Sequence, residues 1–394
     1  MNLAKMPTVD RFLGLNNTQD PIALGFSWLI TANNVDVNDA GKLQLRTGYT
    51  QALAATPSGA YATLDEQRMY FVDAGTLKAM NANGTSAVTL ATGLDDAPMA
   101  WAEINGQVFY ANGTNSGIIA ADNAVLPWAW AVPTAPTLTA VTGNLDPGLY
   151  RACITHHLPD GRETGPSEVV ELEIAQGQAL QVSGIEQIAG QTTNVYIAPA
   201  NSTVFQRAAS PSAAAIVWNA SPDNLGIDLE TFGMEPLPAG CDVIAAWRGR
   251  LIAAQYFPEL DATALWMSQP LGFHLFDLEE SMVMVVGHVL MLAPHDDGLV
   301  IGTENAIMAY TAEGLTELAP YGVVPGQHWS PDDDNTVVFW SQRGVCRALP
   351  FSNLTQAQAS VAPGLRAGGA VVRMGGQRRF IVSIQQGGSA FNST

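Results

Sequence analysis

The sequence predicts an all-β protein, and three observations support that fold class. Helical periodicity is nearly absent along the 394 residues. Short β-rich runs alternate with turn residues about every 8 to 12 positions, which is typical of all-β folds. One hairpin-like pattern also recurs along the chain. Together these predict a single β-propeller of about six four-stranded blades with an inserted β-sandwich.

The recurring pattern is a turn, a strand, a second turn and another apolar strand. Its copies begin at Glu66, Asn105, Arg248, Asp296, Asp333 and Gly375, at spacings of 39, 143, 48, 37 and 42 residues. Removing a segment of 106 residues (134–239) from the long interval leaves 37. The resulting period of about 40 residues is typical of a propeller blade. Two stacked β-sandwiches with similar hairpins are the alternative.

The period defines the predicted domain limits. Residues 1–50 form an N-terminal arm with the first propeller strand, and residues 51–133 and 240–394 form the blades. A propeller must close to protect its edge strands. We therefore expect the stretch 41–53 to add a strand to the last, short blade, which would fasten both termini.

The segment 134–239 has a different character from the blades. Pro-rich stretches border it, and the alternation over Leu149 to Thr155 predicts a half-buried strand. Pro159-Asp160-Gly161 predicts a hairpin turn. About seven short strands in this length predict an immunoglobulin or fibronectin III-like sandwich. This segment contains three arginines and eleven acidic residues, so the predicted sandwich is acidic.

Charge is sparse and uneven. Charged residues make up 13% of the chain, and the net charge is −19. An acidic protein lacks the basic surface that binding to nucleic acid requires. Six arginines and no acidic residue follow Asp334. We interpret this asymmetry as complementary contact between neighbouring subunits, or alternatively as solvated faces. The interface candidates from this region are Arg366, Arg373, Arg378 and Arg379.

Neither export nor membrane insertion is predicted. The N-terminus has no long apolar segment, and the longest apolar stretch, 282–293, is shorter than the roughly 20 residues that a spanning helix needs. Cys153, Cys241 and Cys346 match no metal or redox spacing, so we expect buried thiols in a reducing environment.

No motif predicts catalysis, a metal or a cofactor. The stretch from Asp36 to Gly41 begins like a calcium loop, but Ala40 and Thr47 occupy ligand positions. The run Asp332–Asp334 is interpreted as an exposed acidic turn, with a divalent cation as the alternative. For His295, beside two aspartates, we expect a hydrogen bond at a blade turn.

Tryptophan provides the other interface candidates. Trp128 and Trp130 flank Ala129 just before the Pro-rich linker. Strand alternation would place both rings on one face. Large aromatic side chains are enriched at the centres of interfaces, so this pair is the predicted interdomain or intersubunit anchor.

The N-terminal stretch 23–50 contains a pattern of spaced residues ahead of the first predicted blade. They are Ala32, Asn34, Val35, Asp36, Asn38, Gly41, Leu43, Arg46 and Gly48. With these residues the stretch resembles the segment that precedes the first blade of bacteriophage tail β-propeller proteins. Further matching stretches are 160–168, 247–254 and 266–276.

The resemblance implies a structural protein of the virion tail, made in the host cytoplasm. It implies a ring of copies around the DNA channel at the tail tip, nozzle or baseplate, in contact with other phage tail proteins. DNA would pass without specific binding, and no enzymatic activity is implied.

Two alternative functions stay open. One is a propeller that binds carbohydrate on the host surface through Trp and Asp side chains. The other is a propeller glycoside hydrolase, which requires two suitably spaced carboxylates.

Overall fold

The computed structural model describes residues 8–46, 48, 54–55, 57–81, 84, 87–332, 336–374 and 377–386. Within these ranges the regular structure is β-strand, apart from one 3-10 turn at Pro222–Asn224. The prediction of an all-β chain is confirmed.

The N-terminal arm contains two small sheets. Strands β1 (Gly14–Leu15) and β2 (Trp28–Leu29) pair in parallel, and β3 (Val35–Val37) pairs with β4 (Leu43–Leu45) as an antiparallel hairpin. The hairpin turn uses Gly41 at φ +73°, where a Cβ would lie 2.0 Å from Cγ of Arg11. An added side chain would clash at this turn of the β3–β4 hairpin, so glycine is required there.

Five antiparallel sheets of four strands follow, each with its strands in sequence order. Small antiparallel sheets of this kind are compatible with a propeller-like β fold. Their strands are β5 (Gly59–Ala62), β6 (Arg68–Asp73), β7 (Thr76–Asn81) and β8 (Val88–Thr92) in sheet I; β9 (Ala100–Ile104), β10 (Gln107–Ala111), β11 (Ser116–Ile119) and β12 (Val125–Leu126) in sheet II; β20 (Cys241–Trp247), β21 (Arg250–Phe257), β22 (Ala262–Met267) and β23 (Met282–Val286) in sheet III; β24 (Val289–Pro294), β25 (Leu299–Thr303), β26 (Ile307–Thr311) and β27 (Gly314–Ala319) in sheet IV; and β28 (Trp329–Asp332), β29 (Thr336–Ser341), β30 (Gly344–Ala348) and β31 (Ser352–Asn353) in sheet V.

The first five copies of the sequence repeat occupy the same strand positions within their sheets. Each supplies the second and third strands of one sheet. Central strands have a paired neighbour on both sides and are the most buried, so they carry the most regular apolar pattern. Left-handed Xaa-Gly pairs shape several of the tight turns, including Ala74-Gly75, Asn105-Gly106 and Arg248-Gly249.

The sixth copy forms part of a two-stranded hairpin, β32 (Arg366–Met374) with β33 (Gln377–Gln385), called here the terminal hairpin. The stretch 41–53 was expected to complete this blade. That expectation is wrong for Leu43–Leu45, which pair with β3; residues 47 and 49–53 lie outside the described residues. Pairing across a tight turn closes a very short loop, so it costs less entropy than pairing with a distant strand.

The segment between β12 and β20 forms seven strands in two sheets. Their inner faces share one buried apolar cluster, which includes Leu138, Tyr150, Leu180 and Val195. The alternation predicted over 149–155 holds as far as Ala152, after which both faces are buried. The three-stranded sheet contains β13 (Thr137–Thr142), β16 (Gln178–Ser183) and β19 (Ala215–Trp218); the four-stranded sheet contains β14 (Gly148–His157), β15 (Val170–Ile174), β17 (Thr192–Ala198) and β18 (Gln206–Ala209).

The chain divides into two compact units. Unit 1 comprises residues 1–103, 256–263 and 285–394, and unit 2 comprises residues 104–255 and 264–284. In unit 1, sheets IV and V share a buried cluster that includes Met291 and Phe339. Trp340 of sheet V and Ala367 of the terminal hairpin belong to a second buried cluster.

No helix in the described parts of the chain has the length and apolar character needed to cross a membrane. The apolar stretch 282–293 instead forms β23 and β24, which belong to different sheets. The three cysteines are buried free thiols, as predicted. Burial, with a smaller effect of Glu163, raises the pKa of Cys153 to about 12, so this thiol is held in its protonated, unreactive form.

One histidine of unit 1 should make stability depend on pH. The fully buried His328 has its pKa lowered to about 4 by desolvation, while its Nε2 bonds to the carbonyl of Val324 at 2.7 Å. In the unfolded chain the pKa is about 6.5. Between about pH 4 and 6.5 the unfolded state therefore binds a proton that the folded state does not. The free energy of unfolding falls as pH drops from about 6.5 to about 4, by up to about 3 kcal/mol.

The measurement is the urea midpoint at several pH values in that window for the wild type and His328→Gln. Glutamine keeps a donor for the Val324 carbonyl but does not titrate. We expect the stability of the variant to depend less steeply on pH than that of the wild type. An equal change of stability with pH in the two proteins would contradict this role of His328.

Candidate functional site

Trp128 lies at the centre of an aromatic cluster in unit 2. Its side chain is 0% exposed, and its indole N–H donates to the carbonyl of Phe273 at 2.7 Å. Phe109 meets the indole edge-on with ring centroids 5.1 Å apart, and Phe276 lies at 6.2 Å. The predicted anchor residue is therefore an anchor within unit 2, because its whole surface is covered by its own chain.

Trp130 differs from Trp128. It is half-buried, and neither tryptophan lies on a strand, since β12 ends at Leu126. Proline has no N–H to donate to a sheet, so Pro127 ends the strand. The expected alternation, with both rings on one face, requires a strand that is absent here.

The candidate arginines Arg378 and Arg379 form ion pairs inside unit 1. Arg378 Nε lies 2.7 Å from Asp332, and Arg379 Nη1 lies 3.0 Å from Asp36 of the N-terminal hairpin. Arg373 lies directly opposite Arg378 in the terminal hairpin, and Arg366 is exposed at its start. The structure thus brings three of the four to the same end of the terminal hairpin.

Hydrogen bonds and an ion pair hold the N-terminal arm to the C-terminal part of unit 1. The Asn17 backbone N–H donates to the carbonyl of Gln358 at 3.0 Å. Asn17 Oδ1 accepts from the Ser360 backbone N–H at 2.7 Å, and its Nδ2 donates to the Ser360 carbonyl at 3.0 Å. Thr18 donates to the carbonyl of Ala357. With the Arg379–Asp36 ion pair, these contacts connect positions more than 300 residues apart.

The arm also presents large apolar side chains to solvent. Ile22 is 93% exposed and Phe26 is 74% exposed. The other large apolar residues exposed between positions 13 and 45 are Leu13, Ile30, Leu43 and Leu45. Isolated exposed apolar residues are common, whereas several in one short segment expose an unusual amount of apolar surface.

In unit 2, the loop between β14 and β15 is held by several polar contacts. Arg162 pairs with Asp160 at 2.7 Å and donates to the carbonyls of Pro127 and Trp128. Glu163 Oε1 accepts from Thr155, Asn194 and Tyr196. These bonds fix the loop on both sides of the turn.

This loop forms one side of a cleft of about 300 Å³ in unit 2. The polar side chains at the cleft come from the β9–β10 turn, the start of β10, the β14–β15 loop and the segment after β22. The cleft is lined by Asn105, Gln107, Phe109, Ile118, Leu126, Asp160, Arg162, Leu271, Phe273 and His274. It combines an apolar floor with a few polar groups, as ligand-binding clefts do.

His274 is neutral in this cleft. Burial lowers the pKa of its imidazole, and its Nε2 lies 2.9 Å from the carbonyl of Glu163. A carbonyl accepts only, so Nε2 carries the hydrogen and Nδ1 is the acceptor. The ring can therefore accept a hydrogen bond from a ligand but carries no charge at neutral pH.

The polar clusters in the described ranges do not form a metal centre. No group of three or more His, Cys, Asp or Glu side chains is arranged to hold a metal there. Asp36 and Asp332, from the two acidic motifs, are instead paired with arginines. Asp333 and Asp334 lie outside the described residues. His295 Nδ1 accepts from the Asp297 backbone N–H at 2.9 Å, which is the expected turn hydrogen bond.

The cleft was not predicted from the sequence. Two of its segments, 160–168 and 266–276, were recognised as motifs, but nothing in the sequence indicates that they meet. The Asn-Gly turn at Asn105 was recognised only as the start of a repeat copy. Their proximity depends on the docking of the β14–β15 loop.

No protein-family model matches the chain, and no curated protein matches it. Among solved structures, a BBS1N–ARL6DN complex soaked with lead contains a chain that is 12% identical, with 87% of this chain and 97% of that chain covered and a TM-score of 0.33. Kuenenia stuttgartiensis hydrazine synthase is 8% identical, with 76% and 80% covered and a TM-score of 0.32.

A protein of unknown function from Desulfotomaculum acetoxidans is 9% identical, with 79% and 89% of the two chains covered and a TM-score of 0.30. Similarities this low carry no argument about function.

Proposed function

We propose that this chain is a structural component of a bacteriophage tail, at the tip, nozzle or baseplate ring around the DNA channel. It acts by assembling with copies of itself and with other tail proteins, and not by catalysis. We further propose that sheets I to V and the terminal hairpin are six blades of one propeller. In this proposal, residues 134–239 are an inserted immunoglobulin or fibronectin III-like sandwich.

The exposed apolar surface of the N-terminal arm is the observation that carries this proposal. Ile22 is 93% exposed and Phe26 is 74% exposed, yet the arm is tied to the rest of unit 1 through Asn17, Thr18 and Asp36. A tethered segment with an uncovered apolar surface gains free energy when a partner buries it, at about 25 cal/mol per Å². Assembly supplies such a partner.

The charge distribution supports contact between copies. The terminal hairpin carries four arginines and no acidic residue, whereas the segment 134–239 carries eleven acidic residues against three arginines. Opposite charges on different parts of the same chain favour association between copies and fix their relative register. The net charge of −19 also favours DNA passage without binding, because like charges repel.

The first test is the mass of the purified protein by analytical ultracentrifugation and electron microscopy. We expect rings much heavier than the 41.7 kDa of one chain. The double variant Ile22→Ser, Phe26→Ser should dissociate them, because it removes the apolar contact. The matched control is Val217→Ser, Leu260→Ser, two exposed apolar positions outside the arm.

A monomer at every concentration, or equal assembly of both double variants, would contradict the proposed assembly.

The tail assignment has its own test, which is mass spectrometry and antibody labelling of purified virions. Labelling of the tail is expected. Absence of the chain from the particles would overturn the tail assignment.

A further inference from the structure

We propose that the cleft in unit 2 binds an uncharged saccharide of one or two sugar rings. This is a binding function in addition to assembly. The cleft volume of about 300 Å³ is at the small end of the range for ligand sites.

The polar groups of the cleft suit hydroxyl groups. The amides of Asn105 and Gln107 can both donate and accept, the Nδ1 of His274 accepts, and Asp160 retains acceptor capacity. Sugar hydroxyls also donate and accept, so one ring can use several of these groups at once. The amide residues are carried by the β9–β10 turn and by β10, which gives them a rigid support.

The charges of the cleft cancel, which selects against ionic ligands. Asp160 and Arg162 form a close ion pair, and every Arg162 nitrogen already donates to Asp160, Pro127 or Trp128. Burial keeps His274 neutral. Binding an anion or a cation would therefore cost desolvation without an opposite charge to offset it.

One exposed apolar side chain can complement the C–H face of a sugar. Leu271 lies at the cleft with 80% of its surface exposed, whereas Phe109 and Phe273 are nearly buried beneath it and support the cleft. Leu271 also has φ +61°, which is a strained conformation for a branched side chain. Such strain concentrates at binding and functional sites. A bound sugar would cover this exposed leucine.

The experiment is titration calorimetry with the methyl glycosides of glucose, galactose, mannose and N-acetylglucosamine, and with the disaccharides lactose and maltose. Glucuronate and glucosamine serve as charged comparators. Binding of at least one neutral sugar is expected, with weaker or no binding of the charged ones. The variants Gln107→Ala and Asn105→Gly should each weaken binding about tenfold, the effect of losing one hydrogen bond. Glycine tolerates the left-handed turn conformation at position 105.

Gln356→Ala, at an exposed glutamine outside the cleft, is the matched control and should leave binding unchanged. Hydrogen exchange of the wild type with saturating sugar tests the site without any variant, and protection is expected over 105–109 and 269–276. No binding of any neutral sugar, protection elsewhere, or tighter binding of a charged comparator would overturn the proposal. Ring assembly of the cleft variants should be unchanged, so failure here is distinguishable from failure of the assembly role.

Discussion

Replacing Trp128 with alanine is expected to destabilise the protein by about 3 to 5 kcal/mol, as for other large buried aromatic residues. The indole is fully buried against Phe109 and Phe276, so its removal leaves a cavity. The carbonyl of Phe273 also loses its hydrogen bond from the indole N–H. The measurement is the midpoint of urea unfolding, monitored by circular dichroism.

Trp130→Ala is the matched control, two residues away and half-buried. We expect it to cost less than about 1 kcal/mol, in the range of substitutions outside the core. Equal destabilisation by the two alanine variants would contradict the assignment of Trp128 as the internal anchor.

Glu163→Ala should have an effect of similar size, by a different mechanism. The carboxylate accepts hydrogen bonds from the hydroxyls of Thr155 and Tyr196 and from the amide of Asn194, all three of them buried. A buried donor left without an acceptor costs about 1 to 3 kcal/mol. We expect a total loss of about 3 to 5 kcal/mol, because the three donors relax together.

The control is Glu168→Ala, which removes an exposed carboxylate five residues away in the same loop. It should change the free energy of unfolding by no more than about 0.5 kcal/mol. Glu163→Gln keeps an acceptor oxygen, so its free energy of unfolding should lie between those of Glu163→Ala and Glu168→Ala. If Glu163→Ala were as stable as Glu168→Ala, the hydrogen-bond network would not be what holds the β14–β15 loop.

The loop that Glu163 holds is also the loop that forms one side of the cleft. Asp160, Arg162 and the carbonyl that orients His274 all belong to it. A ligand site gains affinity when its polar groups are positioned before binding, since no ordering cost remains. Glu163→Ala should therefore weaken sugar binding as well as stability, whereas Glu168→Ala should change neither.

Much of the β-structure could be predicted from the sequence because its causes are local. Five repeat copies each supply the second and third strands of one four-stranded sheet. Alternating apolar residues and Gly-containing turns determine a hairpin from within about 15 residues, so no distant contact is needed to recognise it. The burial of the three cysteines could likewise be predicted from their chemistry.

Two predictions failed because the pattern of apolar and charged side chains does not show how the local backbone pairs. The N-terminal stretch was expected to complete the last blade, but Leu43–Leu45 pair with the neighbouring β3. Pro127 ends β12, so the two tryptophans do not share a strand face, and only Trp128 is buried. In both cases local backbone chemistry was sufficient to exclude the arrangement, but the pattern of side chains alone did not reveal it.

By itself, the sequence determined the all-β class, the periodic hairpins and the separation of acidic from basic residues, since these depend on residue type and short spacing. Tertiary structure decided which charges are paired and which polar groups meet. Asp36 and Arg379 are 343 positions apart, and His274 meets Glu163 across 111 positions. Such contacts form only when whole sheets and loops dock, and docking depends on the summed shape and burial of many residues.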